Sequence, residues 1–524
     1  MLAMLRTVAG LVAVLEVMGQ CVAAPVPPSA APKPLPADVV AAWQKAGADV
    51  GWTGANGTFR AGETGLAGEI PAFRFPAWRA QLGGQFGNLG GQFGIAGGGI
   101  GGQPAVPPLA LPANLPDPGR PFGLDHSSCR LPDQWLKELG RFKHLHTLTL
   151  GGNSFCEMGA ATITDTDLAH IGRMSELRAL RVGQNQITDT GFRHLTPLTN
   201  LRALDLPDAN LGEAGLEVLG NFRELEELNI RGSRVNESSA KQLAKLTHLR
   251  QLTLSDTELT DAGMRHLAGL VHLQHLGIND NAVTAAGLKH LARLTELRSL
   301  SLPEVTDDGL ACLAHMTKLE DLGFRAEEVT DAGLRHLARL TELRYVDLSR
   351  SRVAGSGLAH LAGLHRLERL MLIGAPVTDA GLSHLPPLPA LRELYLGETR
   401  VTGAGLKHLA AQKSLATLDL ESAPVADAEL KHLASLKALN RLSLSGTPVT
   451  DAGLQHLAGA PKLVTLDLSG TDVTEAGFPT LAGLKHLESL TFHNFKGTDE
   501  AIQKLRAAHP QWSISGRPPL PQLR

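Results

Sequence analysis

The chain has 524 residues, of which 43% are hydrophobic and only 4% aromatic, and its 49 Lys and Arg nearly balance 52 Asp and Glu for a net charge of −3. That balance leaves no basic stripe, which argues against a nucleic-acid partner. Four cysteines in this length make no disulfide framework.

In chain order, Arg6, the apolar run Val8 to Met18 and the small residues of Cys21-Val-Ala-Ala24 read residues 1–24 as a secretory signal. Glu16 and Pro25 are atypical there. Cys21 offers a lipid anchor as the alternative, although Gln20 departs from the small residue that lipobox processing prefers. The expected location is therefore exported: periplasmic, cell-surface or secreted. No other segment is long and apolar enough to span a bilayer, so no membrane contact is expected beyond an N-terminal anchor. Residues 25–36 are a Pro/Ala linker. Residues 37–80 carry Trp43, Trp52 and Trp78, a density that suggests a small module or a segment packed on a neighbouring domain. Residues 81–121 are a Gly/Pro-rich linker containing Gly-Gly-Gln-Phe-Gly twice, too poor in apolar surface to order itself.

From residue 122 to 515 the chain is read as one repeat domain with terminal caps, and 516–524 as a tail. Phe122-Gly-Leu124 is expected to be an irregular first strand and Leu131 to Leu139 its helix. One phrase then recurs from Leu145, written out at Leu415-Ala-Thr-Leu418-Asp-Leu420 and repeated at Leu439, Leu463 and Leu487. Its step is 24 residues, which means a stacked solenoid in which neighbours bury each other's faces. The first half of each copy alternates apolar and polar residues, as a half-buried strand does. The second half, such as Thr450-Asp-Ala-Gly-Leu454-Gln-His-Leu457, reads as a short helix capped by Thr450 or Asp451. Gly453 borders the apolar face and allows close approach of the next copy. Two copies break step: Val283 to Glu304 has 22 residues, with Pro303-Glu304 in place of a longer turn, and the first copy has a wide turn from Gly151 to Thr162. Ala501 to Ala508 is expected to be a last helix, with Trp512 covering the terminal copy.

The spacing Leu177, Leu180, Val182, Asn185 resembles the leucine-rich repeat signature, with Asn153 and Asn281 at the same ladder place and Thr257, Thr399, Thr447, Thr471, Ser233 and Ser351 standing in elsewhere. Ala209, Ala375, Ala423 and Glu327 interrupt that ladder. The 24-residue Val-Thr-Asp-Ala-Gly-Leu phrase is similar to the ribonuclease-inhibitor-like class and to exported bacterial proteins built from tandem copies of it. The resemblance implies an α/β solenoid, a leucine-rich repeat horseshoe with parallel strands on its concave face and short helices on its convex face. It implies little about function.

Catalytic signals are weak. Histidine recurs in one helix slot (His170, His194, His266, His290, His336, His360, His384, His408, His432, His456), but one imidazole per helix at 8–10 Å spacing does not make a tetrahedral metal site. Gly97 to Gly102 has no strand before it and no helix after it, and Gly355-Ser-Gly357 is a loop rather than a nucleophile elbow. Asp379 and Asp451 are better helix caps than acids. No cofactor, no metal and no enzymatic activity are expected. Cys129 and Cys156 form a candidate disulfide, and Cys312 replaces a helix His.

The strand residues flanking the inward leucines are more informative. Early copies show small or polar residues, such as Thr147, Thr149, Gly183 and Ser255. From Arg325 to Glu421 the face becomes Arg325, Tyr345, Asp347, Arg369, Met371, Ile373, Glu393, Tyr395, Asp419 and Glu421, and it holds both tyrosines of the chain. Tyr, Arg and Met are residues that anchor interfaces. The expected function is a monomeric, non-enzymatic module binding a protein or peptide on that face. The alternative is a structural or assembly protein of the envelope without a dedicated ligand; a hydrolase seated in residues 37–121 is disfavoured because no nucleophile–base pair is visible there.

Overall fold

A computed structural model describes residues 35–46, 48–54, 59–61, 69–74, 115–126, 133–151, 163–183, 185–457, 460 and 462–516. The signal, the Pro/Ala linker up to residue 34, Trp78, the Gly-rich tract and the Cys129–Cys156 pair lie outside the described residues. The chain divides into two compact units, with the boundary between Leu259 and Thr260.

In the first unit, Asp49–Thr53 pairs antiparallel with Phe59–Ala61 and with Ile70–Arg74. Ile70–Arg74 then runs parallel to Phe122–His126, which pairs with Leu145–Leu150. The ladder continues in parallel through Ala179–Val182, Ala203–Asp205, Glu227–Asn229 and Gln251–Thr253. The Trp-bearing segment therefore extends the sheet beyond Phe122–His126, the strand that sequence reasoning made the first. Its helix Ala37–Lys45 supplies Trp43, which is fully buried and stacks on Phe73 at 4.1 Å, with Phe142 at 5.5 Å. Its indole nitrogen donates to the Pro116 carbonyl at 3.1 Å, so the one polar atom of a buried ring is satisfied.

The second unit is a parallel ladder of the same kind. Tyr345–Asp347, Arg369–Met371, Glu393–Tyr395, Thr417–Asp419, Arg441–Ser443, Thr465–Asp467 and Ser489–Thr491 stack so that Leu370, Leu394, Leu418 and Leu442 are register partners. These leucines are 2% exposed or less, and each buried one contributes about 1.5–3 kcal/mol. The return elements are a mixture: Asp307–Leu313 and Asp451–Leu457 are α-helical, whereas Ser356–Gly363, Gly403–Ala411 and Asp427–Ser435 are tighter 3-10 turns. The 22-residue copy has a local consequence. Pro303 and Glu304 lie inside Ser299–Thr306, which pairs with Asp321–Glu328, both eight residues long, and the register slips on either side of Glu304. At the end, Asp499–Ala508 is capped by Thr498, and the buried Trp512 stacks on His509 at 3.9 Å.

The Thr-Asp-Ala-Gly phrase has a physical reason that sequence reading gave only in part. Thr is the cap: Thr450 Oγ1 accepts from the Ala452 amide at 3.2 Å. The Asp does not cap its own turn. Asp427 reaches the next copy, accepting from the Thr450 amide at 2.7 Å and from its hydroxyl at 2.6 Å. Asp379 does the same for Thr402, and Asp451 for Thr474. The carboxylate then fills the space where a side chain on the following glycine would go: a Cβ on Gly453 would lie 2.4 Å from Asp427 Oδ1, and one on Gly405 2.4 Å from Asp379 Oδ1. Between two consecutive copies the pair is inverted. Gly403 stands in the Asp slot and Glu429 in the Gly slot, and a Cβ on Gly403 would meet Glu429 Cβ at 2.1 Å. The ladder threonines also work as expected. Thr399, Thr447 and Thr471 are buried, and each donates to the carbonyl three residues back, at 2.6, 2.6 and 2.7 Å.

Candidate functional site

Alternation along each strand sends one set of residues inward and the other onto the sheet face away from the helices. In the second unit that open face has a first column of Tyr345, Arg369, Glu393 and Thr417 and a second of Asp347, Met371, Tyr395 and Asp419, each residue in register with its neighbour. Sequence spacing therefore brings every expected residue onto the two columns or just beside them: Arg325, Ile373 and Glu421 follow two positions after Gly323, Met371 and Asp419. Asp347 and Asp419 hold their turns, accepting from the amides of Ser349 at 2.8 Å and Glu421 at 2.9 Å.

The central side chains are locked together rather than freely solvated. Arg369 forks onto Glu393, Nε at 2.6 Å and the second nitrogen at 3.2 Å. The Tyr395 hydroxyl donates to the same carboxylate at 3.0 Å. Arg369 also lies over the Tyr345 ring, 5.8 Å from its centroid, and the Tyr345 hydroxyl donates to Asp347 at 3.3 Å and sits 3.2 Å from Met371 Sδ. Burial, then the neighbouring Glu393 carboxylate, pushes the Tyr395 phenol up to about 12, and burial with Asp347 raises Tyr345 further. Both rings stay neutral donors across the physiological range. Burial alone would oppose the charge on Arg369, but Glu393 outweighs it and raises the guanidinium above its usual value. Asp419 is raised, by burial first and with Asp467 and Glu398 adding to it.

Two expectations need correction. Met371 and Ile373 are half-buried, not exposed, and the Tyr345 hydroxyl lies against the Met371 sulfur. Arg325, in the same repeat slot as Ile373 and Glu421, is exposed as expected of that slot's side and pairs with Asp280 at 3.3 Å. In the first unit, Thr147 and Ser255 are buried rather than solvated. That face is also not bland. Arg181 binds Asp205 at 2.8 Å and Glu227 at 3.2 Å, and Asn229 donates to Asp205 at 2.9 Å. Burial raises the Glu227 carboxyl despite Arg181. The signal for this network was in the sequence, since Arg181, Asp205 and Asn229 lie at successive repeat positions, but it is diluted by Ala179 and Ala203 in the adjacent column.

The recurring histidines sit on the outer side of their helices and none is buried. Among the described residues no group of three His, Cys, Asp or Glu is placed to hold a metal ion, and no helix is long and apolar enough to cross a membrane.

With each unit a stack of leucine-strand and short-helix copies, the class is an α/β leucine-rich repeat protein. The family model described as "Leucine-rich repeat region" matches residues 123–313 and 241–507, and the chain belongs to that family. No curated protein matches it. Among solved structures, the mouse RP105/MD-1 complex is 19% identical with a TM-score of 0.55, covering 79% of this chain and 75% of that one. A leucine-rich repeat protein of Leptospira interrogans is 19% identical at a TM-score of 0.48, covering 77% and 91%. An internalin from Listeria monocytogenes is 20% identical at 0.43, covering 64% and 91%. At 19% identity the likeness to the mouse complex speaks to fold alone.

Proposed function

We propose that this chain is an exported, monomeric leucine-rich repeat protein of the ribonuclease-inhibitor-like class, a non-enzymatic module that binds a protein or peptide on the open sheet face of residues 345–421. The observation that carries this is the linked set Tyr345, Arg369, Met371, Glu393 and Tyr395. A solvated strand face gains little from ordering two aromatic rings and an arginine around one carboxylate. A binding face gains much, since side chains already fixed in place lose less entropy on association. The solved mouse neighbour is a complex of RP105 with MD-1, which fits a protein partner for a chain of this fold. Export is supported by the residues of 1–24 alone. Truncating a desolvated Tyr or Arg anchor typically costs about 2 kcal/mol or more, roughly 30-fold in affinity. Tyr395→Ala and Arg369→Ala should each weaken partner binding by that order, measured by titration calorimetry on chains that circular dichroism shows to be folded. Wild-type affinity in a chain carrying both changes would refute the proposal.

A further inference from the structure

We infer that the partner segment is cationic: an extended peptide with an apolar or aromatic side chain seated on Tyr395 and Met371 and Lys or Arg residues over Asp419 and Asp467. This rests on the binding reading above and adds the chemistry of the ligand. The second column of the open face runs Asp347, Met371, Tyr395, Asp419, Ser443, Asp467, each in register with the next. An apolar pair is thus flanked by carboxylates on both sides.

The charges on this face do not cancel. Arg369 is consumed by the fork on Glu393. Arg325 is paired with Asp280. Arg441 lies in the first column, exposed, in register with Thr417 and Thr465, and makes no ion pair among the described residues. Asp347, Asp419 and Asp467 have no cationic contact among the described residues. Their partners are neutral groups: Asp467 Oδ1 accepts from the Ser469 amide at 2.8 Å and its hydroxyl at 2.6 Å, Asp347 and Asp419 accept from the amides of Ser349 and Glu421, and the hydroxyls of Tyr345 and Ser443 add to Asp347 and Asp419. Those bonds hold the carboxylates in fixed positions, half-buried on a floor of leucines. A like-charged, partly desolvated column favours a ligand that brings positive charge and repels an acidic one.

The spacing sets the ligand's pattern. Strands stack at about 4.8 Å and an extended peptide advances about 3.3 Å per residue. Asp419 lies one strand beyond Tyr395 and Asp467 two strands beyond Asp419. A peptide crossing the strands would place its basic residues about one or two and about four or five positions from its apolar anchor.

The test is a selection of random 12-residue peptides displayed on phage against the full chain, with counter-selection on the Tyr345→Ala/Arg369→Ala/Tyr395→Ala variant. Recovered peptides are then synthesised and titrated by fluorescence anisotropy against wild type and Asp419→Asn/Asp467→Asn. Asparagine keeps the oxygen that receives the turn amides, and circular dichroism checks that the variant is folded. The expected result is peptides with Lys or Arg at that spacing, whose affinity falls roughly tenfold in the double Asn variant and falls again at high salt. Neutral or acidic peptides that need Tyr395 but ignore the Asn changes would overturn the cationic ligand and leave the binding face standing. Peptides indifferent to the triple alanine change would overturn both. Concentration-dependent self-association abolished by Tyr395→Ala would identify a second copy as the occupant and overturn the inference.

Discussion

Restoring the consensus at the inverted Gly403–Glu429 pair should produce a strong, sign-reversing coupling. Gly403→Asp alone puts a Cβ 2.1 Å from Glu429 Cβ, a backbone-level overlap that cannot be relieved by rotating a side chain. Overpacking of this kind costs about 1–3 kcal/mol. Glu429→Gly alone loses helix propensity worth about 1 kcal/mol and a half-buried contact with His432 at 3.3 Å that adds little. Together they rebuild the arrangement seen at Asp427 and Gly453. The new carboxylate can accept from the amides of residues 426 and 429, and hydrogen bonds to a charged acceptor contribute about 1.5–3 kcal/mol each before the loss of entropy on ordering it. Ala426 has no hydroxyl, so the second contact that Thr450 gives Asp427 is missing. The double variant should therefore lie within about 1 kcal/mol of wild type, with a coupling of at least about 2 kcal/mol. Urea midpoints of the four chains, with amide exchange across residues 403–453 to localise the effect, measure it. Additive single changes, or a tolerated Gly403→Asp, would refute the idea that the Asp and Gly slots share one volume.

Other outcomes rest on the same reasoning. Trp43→Ala should destabilise the N-terminal edge by about 3–5 kcal/mol and open residues 35–74 to early proteolysis, because the ring fills the space between Phe73 and Phe142. Burial opposes the Asp261 charge, but bonds from Thr284 and Gly287 outweigh it and hold the carboxyl below its ordinary value. Its folded state thus binds the proton less readily than the unfolded chain, so its contribution is present above the unfolded pKa and lost as pH falls through the folded one. Urea midpoints should show the gap between wild type and Asp261→Ala narrowing on acidification in that window. Arg181→Ala removes the one cation facing Glu227, whose carboxyl burial already raises. That variant should lose about 3 kcal/mol near neutral pH and recover part of it on acidification, as Glu227 takes up a proton.

The repeat, its strand and turn halves and the place of the tyrosine-rich face were legible because period 24 and alternation of side are properties of sequence alone. Ile373 and Tyr395 could be assigned a side of the sheet by counting from Leu372 and Leu394. What could not be counted was which side chains reach each other. Arg369 lies beside Tyr345, Glu393 and Tyr395 only because parallel strands align residues 24 apart, and its choice of Glu393 depends on rotamers that no periodicity encodes. The Arg181 network was missed for the same reason. The trimmed copy was visible as missing residues, but its outcome, two long strands with a slipped register, depends on the backbone finding ladder partners where a turn is absent. Nor does composition reveal that Asp427 serves Thr450 rather than its own helix.

The most direct test of the binding face is site-specific photocrosslinking. A benzoylphenylalanine placed at Ile373, on the open face, and another at Lys407, on the outer turn, are irradiated with a purified partner at a concentration near its Kd. The account predicts a covalent adduct from position 373, none from 407, and loss of the adduct in a folded chain that also carries Tyr345→Ala, Arg369→Ala and Tyr395→Ala. Equal adducts from both positions, or an adduct at 373 that survives the triple change, would contradict it.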